Sequence, residues 1–154
     1  MSGILKDIDK GWSRIVKELK EINKSVVKVG ILESAGNTTD GKMRMAKLGS
    51  IQEYGLPQKK IPPRPFMRQA YERCKEKIIQ LLKSEKSKII LGKSNVKKSL
   101  DVVGTYFQQE IQREFTAGNF VPNKPETIRR KGSSQPLIDT GRLKGSIRFL
   151  VEKE

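Results

Sequence analysis

The sequence predicts an α+β domain in which a small antiparallel sheet, made of the first and last strands, packs with long α-helices. Three observations carry this expectation. Two long stretches in the middle of the chain repeat apolar residues at helical spacing. Two short stretches rich in β-branched residues, far apart in sequence, alternate as strands do. The 154 residues suit one domain, 1–154, and a domain of that length buries roughly 70% of the surface its unfolded chain exposes.

The elements follow in order. Ile4, Ile8, Trp12, Ile15, Val16, Leu19 and Ile22 recur at three- and four-residue steps, predicting a helix over 3–23 with one apolar stripe. "SVVKVGILE" (25–33) alternates around Val27, Val29 and Ile31 and reads as a strand. Residues 34–47, rich in Gly, Thr and Asn, read as a mobile loop. "LGSIQEYG" fits a helical turn or a short strand, and its pattern does not choose. In "IPPRPF" three prolines within four residues hold the chain extended, and Pro65 suits the first turn of a following helix. Phe66, Ala70, Cys74, Ile78 and Leu82 carry that helix toward residue 90 in four-residue steps. Cys74 belongs to this stripe and reads as core rather than as a reactive thiol. Gly92 interrupts the pattern. A second helix over 95–117 then places Val96, Leu100, Val103, Phe107, Ile111 and Phe115 on one face, and Gly118-Asn119 stops it. Residues 119–136 form a Pro/Gly/Ser-rich loop around one turn of helix at 126–131. "SIRFLVEKE" alternates as the closing strand, with Ile147, Phe149 and Val151 on one side.

Composition limits the chemistry. There is no histidine and only one cysteine, which excludes an internal disulfide, a Cys/His metal site and a histidine general base. No cofactor or metal is expected. No apolar run approaches the roughly 20 residues of a membrane span, and "MSGILKDIDKGW" lacks the pattern of a signal peptide. The expectation is a soluble protein of a reducing cytoplasm, with no membrane partner. The 32 Lys+Arg against 17 Asp+Glu give a net charge of +15. Such an excess fits contact with DNA or RNA, a basic face meeting an acidic protein, or a plainly solvated surface. Lys97-Lys98 and Arg129-Arg130-Lys131 are the basic clusters in question.

"PLIDTG" places an apolar pair before Asp139-Thr140-Gly141, as retroviral-type aspartic proteases do. That chemistry needs two carboxylates sharing one proton inside a β-sheet body. Here the preceding region reads as helix, and the 13 residues that follow Gly141 are too few for that body. The tripeptide therefore reads as a structural turn. Asp139 or Thr140 caps a short turn at 141–144, Gly141 supplies a backbone conformation closed to other residues, and the final strand follows.

The linked series "VGIL", "LGSIQEYG", "IPPRPFM", a second long helix, "PNKPETIRRKGSSQPLIDTGRLKGSI" and a terminal strand resembles the tail-completion proteins of long-tailed bacteriophages and prophages. These neck, or head–tail joining, proteins include the Mu-like virion morphogenesis and minor tail protein Z-like groups. The resemblance spans about Val26 to Val151. Gln52 stands where that family often has histidine. The resemblance implies a non-enzymatic structural subunit, assembled in the host bacterial cytoplasm into a homo-oligomeric ring, hexameric by expectation, at the head–tail junction of the virion. Its implied partners are other neck, connector and tail proteins, with transient contact to packaged double-stranded DNA. A tail terminator and a basic, sequence-independent nucleic-acid-binding protein are the alternatives. Within this picture Arg44, Ile61, Pro62, Arg64, Phe120 and Pro122 are candidate contacts between subunits or with partners. Lys97, Lys98, Arg129, Arg130 and Lys131 are candidate DNA-facing residues. Each contact segment also fits an ordinary solvated loop. Tyr54 and Phe66 read as core or local packing.

Overall fold

A computed structural model describes residues 11–38 and 40–153. In chain order it contains α1 (Trp12–Ile22), β1 (Ser25–Ile31), α2 (Met45–Tyr54), α3 (Phe66–Ile90), α4 (Val96–Ala117), α5 (Pro125–Lys131), α6 (Arg142–Gly145) and β2 (Ile147–Lys153). The α+β expectation holds: the first and last strands pair antiparallel, from Ser25 opposite Lys153 to Ile31 opposite Ile147. Val27, Val29 and Ile31 therefore share a face with Val151, Phe149 and Ile147. That face lies on α4, and α4 in turn packs along α3, giving three layers.

Two positions show how sequence sets the packing. Gly104 on α4 lies directly beneath Phe149, whose ring atoms would stand 2.4–3.1 Å from a Cβ at 104. Phe66 and Phe115, both fully buried, meet with ring centroids 4.8 Å apart and join the start of α3 to the end of α4. Around them, Met45, Ala70, Ile111, Phe120, Leu137, Leu143 and Ile147 complete the main core. A smaller cluster of Ile89, Val96 and Leu100 closes the other end under Ile22, Val27 and Val151.

The α3–α4 turn is held by α1. Arg14 donates to the carbonyls of Ile89 (2.8 Å) and Ile90 (3.0 Å), while Glu18 accepts from the Val96 N–H at 3.0 Å. A cation thus meets the C-terminus of α3 and an anion the N-terminus of α4, the favourable pairing for both helix dipoles. Asn95 completes the cap of α4, accepting from the Lys98 N–H at 2.9 Å. Along the seam, Arg73 bonds Glu110 at 3.0 Å and also pairs with Glu114. Burial works to lower the Arg73 pKa, but the two carboxylates outweigh it and raise the value.

Several expectations need correction. The first part of the 3–23 helix lies outside the described residues; its Trp12 is exposed, whereas Ile15, Val16, Leu19 and Ile22 are half-buried. The loop expected over 34–47 ends early, because Met45 is buried and opens α2. Within it, Asn37 bridges Arg44, and the Thr38 N–H donates to the Met43 carbonyl at 2.7 Å. Leu82 is 41% exposed rather than core. Repeated four-residue steps advance about 40° each around a helix of 3.6 residues per turn, so the stripe rotates off the core. The buried line shifts instead to Glu85 and Ile89.

Candidate interaction surfaces

The stretch from Gln52 to Phe66 forms a joint between three elements. Gly55 ends α2 with φ +77°, and a Cβ there would stand 2.9 Å from the Ile61 carbonyl oxygen and the Pro63 nitrogen. Only glycine suits both demands. The chain then loops through a short 3-10 turn at Pro57–Lys59 and returns, with Leu56 and Ile61 exchanging backbone hydrogen bonds of 2.9 and 3.1 Å. The Arg64 N–H donates to the Gln52 carbonyl at 2.7 Å. Pro65 then occupies the N-cap of α3 and offers no side-chain acceptor. Glu53 supplies the cap from α2 instead: its buried carboxylate accepts from the N–H groups of Met67 (2.9 Å) and Arg68 (3.2 Å). A negative charge at a helix N-terminus is favourable, and more so when shielded from water.

Arg64 fastens this joint to the 119–136 loop. Its guanidinium donates to Gln52 Oε1 (3.1 Å), the carbonyls of Val121 (2.9 Å) and Pro122 (3.3 Å), and Asn123 Oδ1 (3.2 Å). Asn123 continues the chain of bonds to the Gln135 carbonyl at 3.1 Å. Arg64 is only 7% exposed, so its expected role as a partner contact is corrected: four neutral acceptors inside the protein use its donors. Burial lowers its pKa, but a guanidinium remains charged. Phe120 is corrected in the same way, since its ring is buried against the core and over Gly118.

The other expected contacts divide. Ile61 and Pro62 are half-buried in the returning arm, and Pro122 is exposed beside Val121. Arg44 is exposed and pairs with Glu33 at 3.2 Å. Tyr54 was expected to pack, yet it is 71% exposed; as the last residue of α2 it leaves the core face and stands under the Arg68 guanidinium, 5.6 Å from the ring centre. The joint thus presents Tyr54, Val121 and Pro122 outward while fixing the segments that carry them.

The basic clusters are not brought together. Lys97 and Lys98 lie in the first turn of α4, with Lys97 pairing to Asp101 at 3.7 Å. Arg129, Arg130 and Lys131 lie on α5, which follows the other end of α4. The 22 residues of α4 correspond to about 30 Å of helix between them. Arg129 and Arg130 are exposed, whereas Lys131 is half-buried. Burial lowers the Lys131 pKa; Asp139 opposes this, and Arg64 and Arg130 reinforce it.

At Asp139-Thr140-Gly141 the turn is present but the expected cap is not. Gly141 itself is the N-cap of α6, with φ +75° and no side-chain bond to the helix. The four-residue α6 holds a full helical bond, Gly145 N–H to Gly141 carbonyl at 2.9 Å, and ends with the Ser146 N–H donating to the Arg142 carbonyl at 2.8 Å. Asp139 and Thr140 are exposed. Cys74 is buried as expected, and burial raises its thiol pKa.

One surface feature was missed from sequence. A concavity of about 370 Å³ opens between the start of α2 and the α6–β2 corner, lined by Ser34, Met45, Arg142, Ser146 and Arg148 among others. The only trace in sequence is a pair of arginines flanking "LKGSI". Among the described residues no group of three or more His, Cys, Asp or Glu could hold a metal, and no helix is long and apolar enough to cross a membrane. Compared with known proteins, the chain matches no family model, no curated protein and no solved structure.

Proposed function

We propose that this chain is a non-enzymatic structural subunit of a phage virion, which completes the tail and joins it to the head connector as a member of a closed ring. The observation that carries the reading is the use made of "QEYG…IPPRPF". Gln52, Glu53, Gly55 and Arg64 are spent on a rigid joint between α2, α3 and the 119–136 loop, with Tyr54, Val121 and Pro122 displayed at its margin. Exposed aromatic and apolar residues on fixed backbone suit docking to another surface, because little order remains to be imposed on binding. In a ring such a surface meets a different surface of the next copy, and rotation closes the series. The separated lysine and arginine clusters suit weak, sequence-independent contact with passing duplex DNA rather than a reading site.

Electron microscopy of particles made when the gene is disrupted tests this reading. DNA-filled heads beside unattached tails of normal length are expected. Tails of abnormal length would assign the chain to tail termination instead, and normal infectious virions would overturn a structural role.

A further inference from the structure

We infer that the concavity between α2 and the α6–β2 corner receives a carboxylate side chain from an acidic segment of a partner protein. The lining includes Met45, which is buried, the arginines Arg142 and Arg148, and the hydroxyl-bearing Ser34 and Ser146. Arg142 donates to the Asn37 carbonyl at 3.1 Å, and Arg148 to the Ile147 carbonyl at 3.0 Å. Each bond fixes a guanidinium at one nitrogen and leaves most of its donors for another acceptor. Neither arginine has a carboxylate partner among the described residues, in contrast to nearby Arg44, which Glu33 neutralises. Two uncompensated cations in one concavity form a site for an oxyanion, and carboxylate matches the planar fork of arginine.

Shape and charge select the occupant. Duplex DNA is a convex rod carrying a charge about every 1.7 Å along its axis, and it is best met by an extended basic track. A recess of about 370 Å³ is instead of the size that admits a small group or a single side chain, near the lower end of the roughly 300–1,000 Å³ of ligand pockets. A chain of net charge +15 also favours an acidic partner over another region of similar charge. The recess lies apart from the Tyr54–Val121 margin, so the inference does not rest on the role proposed above.

A fluorescent peptide carrying two glutamates between leucines, and the same peptide with glutamines, test the site on the full chain. Saturable binding of the glutamate peptide and none of the glutamine peptide is expected. Arg142→Gln and Arg148→Gln should each weaken it by about tenfold or more, while Lys83→Gln, which removes the same charge at an exposed site on α3, should leave it unchanged. Arg148→Gln keeps the Arg142–Asn37 bond, so it reports on the site even where Arg142→Gln loosens the loop. Equal loss with Lys83→Gln, equal binding of the glutamine peptide, or no saturation by millimolar peptide would overturn the inference. So would displacement by short duplex DNA whose own affinity falls in Arg148→Gln, since the recess would then be taking phosphate.

Discussion

Replacing Arg64 by leucine isolates the joint. The side chain donates four hydrogen bonds, two to part-buried backbone carbonyls of the loop residues Val121 and Pro122 and two to the side chains of Gln52 and Asn123. A hydrogen bond to a charged group contributes about 1.5–3 kcal/mol. The carbonyls of Val121 and Pro122 belong to exposed residues and recover water, so their loss counts for little. The acceptors on Gln52 and on buried Asn123 are less able to do so, giving a gross loss of about 3–6 kcal/mol. Relief of the buried guanidinium's own desolvation offsets part of this. A net destabilisation of about 3 kcal/mol remains, which lowers Tm by roughly 6–12 °C in a domain of this size. Urea unfolding measures the stability, and hydrogen exchange locates it: protection should fall first in residues 119–136 and near Gln52. Arg64→Lys should recover less than half, because one ammonium cannot span acceptors on both sides. An Arg64→Leu protein with wild-type stability and unchanged exchange in that loop would refute the reasoning.

Three further outcomes follow from the packing and the charges. Gly104→Ala gains about 1 kcal/mol of helix propensity but drives a methyl into the Phe149 ring, so a net loss of about 1–2 kcal/mol is expected in urea unfolding; restoration by Phe149→Leu would identify the clash as the cause. Glu18→Ala removes the acceptor for the Val96 N–H and should cost about 1 kcal/mol, with the protection lost at the start of α4; unchanged exchange there would show that α1 does not cap it. Because the Lys131 pKa is lowered, first by burial, the unfolded chain keeps that proton to higher pH. Its contribution to stability therefore rises with pH between the lowered value and the ordinary 10.5. Lys131→Met should give a flatter curve over that pH range than wild type, so the gap between the two changes with pH, and parallel curves would contradict the assignment.

The elements were readable where one force dominates. Both long helices and both strands show unmixed periodicity, and their pairing follows from burying one face of each. The α2 segment was not readable because its core side consists of Met45, Gly49 and Glu53, a glycine and a carboxylate that carry no hydrophobic pattern. Tyr54 and Arg64 failed for opposite reasons. An aromatic residue near a core segment reads as packed, yet Tyr54 ends its helix facing outward; a charged residue between prolines reads as exposed, yet Arg64 finds four acceptors that come from distant sequence. The cap expected from Asp139 or Thr140 is not made, because left-handed Gly141 takes the N-cap position and both side chains stand exposed ahead of it. Arg142 and Arg148 converge only once α6 turns the chain, so their spacing alone gave no sign of a shared recess.

The pairing of β1 with β2 has a consequence for the making of the protein. Neither strand has another partner among the named elements, and five helices lie between them in the chain. On the ribosome, α3 and α4 have local contacts and are able to associate as soon as they emerge, while the apolar face of β1 waits for residues 147–153. Until then Val27, Val29 and Ile31 lack the strand that aligns them on α4. Synthesis that stalls before Ile147 therefore leaves a helical hairpin with an unpaired strand, whose open edge and apolar face invite proteolysis and aggregation.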